Sequence, residues 1–269
     1  SPLLSPKNAK ERQAVVLSSL KTTGQLNANQ VKETLGLADR LTIYGSLDTE
    51  EKQEAPYFLD AVNQELRQIL KGKEELIRQG GLTVYTTFNA NQQSIAEEVI
   101  EKHISPDGDL QAALVAMDPH SGMVKALVGG NNYEHSAFNR ATQALRQPGS
   151  TIKPLLYYTA LEKGFTPSTT LRSEVTTFSF DDGKGKYTPH NFNNRYANDS
   201  ITMAQALAVS DNIFAVKTHL FLGEDELVKA VKRFGLTSPM AKVPSLALGT
   251  SGVRPLEMTN AYNLFANGG

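Results

Sequence analysis

Apolar residues change period several times along the chain, and each change predicts a change of element. From Lys10 to Leu20, Ala14, Val15 and Leu17 share one helical face. A second short helix runs from an Asn27 cap to Leu35 and closes at Gly36. Residues 37–56 lose the periodicity. They carry Asp48-Thr49-Glu50-Glu51-Lys52 and then Ala55-Pro56, a linker composition. Helical spacing returns at Tyr57 with Phe58, Val62, Leu66, Ile69 and Leu70, fades near Lys71-Gly72 and ends at Gly80-Gly81. The β-branched content of Leu82-Thr83-Val84-Tyr85-Thr86-Thr87 predicts a strand, and Asn89 caps a further helix reaching about His103.

Ala112 to Met117 and Met123 to Val128 flank Asp118-Pro119-His120-Ser121-Gly122 and predict a β-hairpin. Asp-Pro and Ser-Gly are turn formers, so Asp118 and His120 are read as loop residues and not as an acid–base pair. Leu155 to Leu161 is apolar on all sides, which predicts a central helix. Another helical pattern starts near Thr202, breaks at Ser210-Asp211-Asn212 and resumes at Ile213. Glu224 to Phe234 and Pro255 to Ala266 are amphipathic and close at Gly235 and at Asn267-Gly268. Between these helices, Asp181-Asp182-Gly183-Lys184-Gly185-Lys186 has neither phosphate-loop order nor a calcium ligand set, and reads as a turn between short strands.

Composition narrows the function by exclusion. With a net charge of −1 and no Lys/Arg cluster, the 269-residue chain lacks the basic stripe of a nucleic-acid binder. It has no cysteine, and its five histidines are scattered without ligand spacing, so neither disulfide nor metal nor other cofactor is predicted.

The candidate chemistry lies in Arg146-Gln147-Pro148-Gly149-Ser150-Thr151-Ile152-Lys153-Pro154. Residues three apart on a helix have β-carbons about 5–6 Å apart, so the Lys153 amine can fold onto the Ser150 hydroxyl. A serine needs a neighbour to take its proton, and a lysine does so only where burial keeps it neutral. Ser-x-x-Lys recurs at Ser18-Ser19-Leu20-Lys21 in a polar amphipathic stretch, so the spacing alone does not decide. Ser210-Asp211-Asn212 adds weight, because hydrogen-bonding side chains inside an apolar helical pair need partners. The structural alternative is an ordinary corner with Ser210 as an N-cap. Ser150, Lys153, Ser210 and Asn212 are therefore the candidate site, with Asp211 pointing away from it.

Ser-x-x-Lys with Ser-Asp-Asn belongs to the signature of penicillin-binding proteins and class A β-lactamases, whose third element is Lys-Thr-Gly. The chain resembles class A penicillin-binding proteins in Phe138-Asn139-Arg140-Ala141, in Arg146-Gln147-Pro148-Gly149-Ser150 and in Phe265-Ala266-Asn267-Gly268-Gly269. The resemblance runs from about residue 1 to 269. It implies an α+β penicilloyl serine transferase fold with the hairpin belonging to a larger antiparallel sheet. On it, residues 1–36 are the end of a glycosyltransferase domain, carried by Glu11-Arg12-Gln13-Ala14-Val15-Val16-Leu17, residues 37–110 are an interdomain linker region, and 111–269 are a transpeptidase domain. Lys-Thr-Gly is absent, since Lys21-Thr22-Thr23-Gly24 has an extra residue and precedes Ser150. With no run of 18 apolar residues and a start at Ser1, the chain reads as a fragment without its membrane anchor and its last strands.

The implied function is D,D-transpeptidation of peptidoglycan stem peptides ending in D-Ala-D-Ala, on lipid II-derived glycan strands outside a bacterial membrane, with β-lactams as covalent inhibitors. The implied roles are Ser150 as nucleophile, Lys153 as its base, Ser210 as proton relay and Asn212 as hydrogen-bond donor. His190-Asn191-Phe192-Asn193-Asn194 resembles the family's Pro-x-Asn segment near the substrate groove. A β-lactamase, or a β-lactam sensor or scaffold of the same fold, are the other two classes. The first needs a positioned deacylating water and the second would acylate slowly without peptide turnover.

Overall fold

The computed structural model describes residues 6–38, 54–105, 108–180 and 183–268, and the chain falls into two compact units, Ser1–Glu54 and Ala55–Gly269. In the first, α1 (Pro6–Thr22) and α2 (Ala28–Ala38) form a helical hairpin with Leu17 buried. Asn27 caps α2 reciprocally: its Oδ1 accepts from the Gln30 N–H, and its own N–H donates to Gln30 Oε1. Gly36 lies inside α2 and not at its end. Of the stretch 37–56 with linker composition, residues 39–53 lie outside the described residues.

The second unit holds two hydrophobic clusters. One joins α3 (Pro56–Ile69) and α5 (Ala90–His103) to an antiparallel hairpin of β1 (Leu114–Met117) and β2 (Val124–Val128). Tyr57, Phe58, Ala96, Ile100, Ala126, Leu127 and Val128 are its buried core. Buried Gln93 reaches across from α5, donating to Leu127 O and accepting the Leu127 N–H. The expected helix after Tyr57 starts one residue earlier, with Pro56 in its first turn, and breaks at Leu70 before a short α4 (Glu74–Gln79). In the hairpin loop, Asp118 Oδ1 accepts from the His120 and Ser121 N–H groups. The Ser121 and then the His120 N–H hold its carboxyl below the usual range, so this aspartate is a turn former. No third strand joins the hairpin among the described residues, in contrast to the larger sheet expected.

Leu82–Thr87, expected as a strand, forms none. Among the described residues the backbone from Gly81 to Thr87 makes no backbone hydrogen bond, and Leu82, Val84 and Tyr85 stand exposed. Strand propensity reflects fit to a partner surface, and among the described residues no strand pairs with this segment. Thr87 Oγ1, donating to Val124 O, and Asn89 N–H, donating to Lys125 O, tie its end to the hairpin.

The other cluster is a helical lobe built on α6 (Lys153–Glu162) and α8 (Asn212–Leu222). Both helices are apolar on several faces, and Leu155, Leu156, Tyr157, Ala160, Ile213, Phe214, Ala215 and Val216 are buried. Burying one of the Leu, Ile, Val or Phe side chains contributes about 1.5–3 kcal/mol, which anchors both helices at the centre. Around them lie α7 (Met203–Ala208), α9 (Glu224–Arg233) and α10 (Pro255–Asn267). α9 opens with Glu224, Asp225 and Glu226 and ends with Lys232 and Arg233, matching its dipole. Two further ribbons, β3 (Thr170–Ser173) with β6 (Asp199–Thr202) and β4 (Phe178–Phe180) with β5 (Gly185–Tyr187), complete the lobe. Asp181 and Asp182 of the expected turn lie outside the described residues.

Candidate active site

Two chain reversals build the site, one around Ser150 and one around Ser210. Ser150 occupies a 3-10 turn, Gly149–Ile152, that runs directly into α6 at Lys153. The turn is pinned from three sides, twice by backbone and once by a side chain. Arg146 and Val253 exchange both N–H···O bonds, at 3.0 and 2.9 Å. The Gly149 N–H donates to Gly249 O at 3.3 Å, and Tyr262 of α10 donates its hydroxyl to Thr151 O at 2.7 Å. Gly149 and Gly249 both have positive φ, 58° and 71°. A β-carbon on Gly249 would collide with the Gly149 backbone, standing 2.6 Å from its nitrogen, so the close approach requires glycine there. Ser150 itself is exposed at the surface of this turn.

One helical turn further on, Lys153 is only 1% exposed. Its ammonium donates to Ser210 O at 2.6 Å, to Ser210 Oγ at 3.0 Å and to Asn212 Oδ1 at 2.6 Å. All three donors of the head group are thus used. Among the described residues Ser150 Oγ makes no hydrogen bond, so the expected Lys153–Ser150 contact is not made. The reason is competition: a buried ammonium takes the three acceptors of the neighbouring corner, while the serine hydroxyl faces solvent. Burial drives the Lys153 amine down to about 8, opposed by the Asp211 carboxylate.

The second reversal joins α7 to α8. Ser210 has φ 55°, uncommon for a residue with a β-carbon, and this left-handed step turns its carbonyl onto Lys153. The N-cap of α8 is Asp211, not Ser210: its side chain accepts from the Phe214 N–H at 2.7 Å. Asp211 points away from the Lys153 contacts, yet it is 4% exposed and accepts from the Ser173 hydroxyl and from Asn191 Nδ2 at 2.6 Å. Asn212 uses both ends of its amide, Oδ1 on Lys153 and Nδ2 donating to His190 O at 2.6 Å. Lys153, Ser210 and Asn212 are therefore one hydrogen-bonded group, with Ser150 one turn away on the same helix entry. Sequence reasoning missed Asp211, Asn191 and Ser173 as structural partners of this group. The only signal was Asn191 in the Pro189-His190-Asn191 segment.

Among the described residues no cluster of His, Asp and Glu could hold a metal ion, and no helix is long and apolar enough to cross a membrane. The architecture is that of penicillin-binding transpeptidases. It superposes on penicillin-binding protein 1A from Haemophilus influenzae with a TM-score of 0.67 at 24% identity, over 99% of this chain and 53% of that one. Residues 112–269 match the penicillin binding protein transpeptidase domain. The chain belongs to that family and is homologous to class A penicillin-binding proteins. It is 47% identical over its whole length to penicillin-binding protein 2D of Bacillus subtilis, of which it spans 39%. It is 38% identical over 201 residues to penicillin-binding protein 1A of Neisseria lactamica, spanning 23% of that protein. The chain thus covers less than half the length of these two relatives.

Proposed function

We propose that this chain carries the acylating half-site of a D,D-transpeptidase that cross-links peptidoglycan stem peptides through a serine ester and is trapped there by β-lactams. The observation that carries the reading is the convergence of Ser210 and Asn212 on the buried Lys153 ammonium at the base of the Ser150 turn. Ser150 Oγ attacks the carbonyl of the penultimate D-Ala, and its proton passes to Lys153. The C–N bond to the terminal D-Ala breaks as Ser210 relays a proton to the leaving amine. An acceptor amine then attacks the ester, and Ser150 recovers its proton. As an ammonium Lys153 cannot act as base. With its amine drawn down to about 8, roughly one molecule in ten is neutral at pH 7.

On this reading the substrates are D-Ala-D-Ala stem peptides on lipid II-derived strands, met on the outer face of a bacterial cell membrane. The domain division follows the resemblance: glycosyltransferase end at 1–36, linker region at 37–110, transpeptidase part at 111–269. Incubation of a protein containing the full transpeptidase domain with a labelled penicillin, followed by intact-mass measurement, tests it. One adduct is expected, absent in Ser150→Ala. Adduct formation independent of Ser150 would overturn the reading. The 269-residue chain, which has no Lys-Thr-Gly, is expected to label slowly. One lost oxyanion donor alone costs on the order of 3–4 kcal/mol in transition-state stabilisation.

A further inference from the structure

The Ser210 corner holds an unusual backbone conformation, and what fixes it lies outside both motifs. Asn191 is 8% exposed and sits in the loop between β5 and β6. Its Oδ1 accepts the Asn212 N–H at 2.7 Å. Its Nδ2 donates to Asp211 Oδ2 at 2.6 Å and to Arg195 O at 3.0 Å, with Ser173 Oγ at 3.5 Å. The preceding residue contributes its carbonyl, which receives Asn212 Nδ2. That last bond decides which way the Asn212 amide faces: with the NH₂ end on His190 O, the oxygen end must face Lys153. One amide therefore binds the residue before the α8 helix and the first residue in it. The strand that ends at Ser173 supplies the third support.

We propose that Asn191 is a positioning residue for the acylation machinery. By clamping Asp211 and Asn212 at once, it holds the left-handed Ser210 step and the Asn212 amide so that three acceptors converge on Lys153. Asn191 touches none of the reacting atoms and acts through Asn212 and Asp211. The proposal deepens the reading above and rests on it for its bearing on turnover, though its geometric content concerns Lys153 alone. The groups that face the ammonium are Ser210 and Asn212 from the corner. The charged and titratable ones nearby are the Asp211 carboxylate and the buried Tyr157 phenol, whose ionisation burial opposes.

The test uses the polarity of the clamp. In Asn191→Asp the acceptor for the Asn212 N–H remains, but a carboxylate replaces the donor facing Asp211. Combining it with Asp211→Asn exchanges donor and acceptor, restoring the bond between residues 191 and 211 with the same net charge while the bond to Arg195 O stays lost in both variants, and the new amide oxygen still caps α8. The first readout is the ¹⁵N signal of the Lys153 ammonium protons in the 269-residue chain at pH 6, assigned with Lys153→Met. A head group held by three acceptors exchanges slowly and is visible. The signal is expected to disappear in Asn191→Ala and Asn191→Asp and to return in the exchanged pair, with melting temperature followed in each. Its persistence in both single variants would overturn the proposal, as would its failure to return in a folded exchanged pair. If Asn191→Ala does not fold, the Asp variant and the exchange still decide. The second readout is acylation by labelled penicillin in a full transpeptidase domain, expected to fall about 100-fold in Asn191→Asp and to recover in the pair. Loss of the ammonium signal with no Ser150 adduct even in the unsubstituted domain would sink the transpeptidase reading and leave the clamp standing.

Discussion

The Ser150 turn and the Ser210 corner bend the chain by similar means and hold the bend by opposite ones. Gly149 and Ser210 have nearly the same φ, 58° and 55°. At Gly149 the conformation carries no side-chain penalty, and the turn is fastened by backbone bonds to Val253 and Gly249 and by the Tyr262 hydroxyl. At Ser210 it costs about 1–2 kcal/mol, and a network of buried polar side chains offsets it. The difference assigns the work: the first reversal presents an exposed hydroxyl on a stiff backbone, and the second needs a side chain at the strained position because that hydroxyl accepts from Lys153.

Substitutions can break each half of this contrast. The largest effect is expected where the two reversals meet. Lys153→Met should slow penicillin acylation of the full domain by about 10²–10⁴-fold. In the unsubstituted protein the rate should climb as pH rises through about 8, because on the proposed mechanism only the neutral amine can take the Ser150 proton. A rate flat from pH 6 to 10 would remove Lys153 as the base. Next comes Gly249→Ala, whose β-carbon meets the Gly149 backbone. Urea unfolding should show a loss of about 2–5 kcal/mol, the sum of overpacking and a left-handed alanine. Gly149→Ala meets nothing within 4 Å and should cost only the left-handed part, about 1–2 kcal/mol. Equal losses at the two glycines would mean that the backbone contact is not what fastens the turn. The smallest effect sharpens the other side: Ser210→Gly should be more stable than Ser210→Ala by about 1 kcal/mol, since both lose the hydroxyl but only glycine relieves the strain.

Sequence made the chemistry more legible than its support. Ser150, Lys153, Ser210 and Asn212 stood out because polar residues in fixed spacing interrupt apolar helices, and the structure joins three of them by hydrogen bonds. The β1–β2 hairpin and the central helices α6 and α8 were equally visible from period and turn residues. Asp211 was not, because its role depends on Ser173 and Asn191, thirty-eight and twenty residues away, and no local pattern encodes such partners. The same blindness explains Leu82–Thr87. Its composition suits a strand, yet a strand exists only where another lies beside it, and that neighbour cannot be read from the segment itself.

That unpaired stretch has a consequence for handling the protein. Proteases bind their substrates as an extended strand, through main-chain hydrogen bonds with side chains seated in alternate pockets. Among the described residues the backbone from Gly81 to Thr87 offers its donors and acceptors free of other backbone, and Tyr85, 93% exposed, offers a large side chain to a specificity pocket. Among the described residues, chymotrypsin at low dose should cut first at Tyr85. Among the described residues, a stretch remote in sequence from every residue of the candidate site is then the one most open to cleavage in a crude extract.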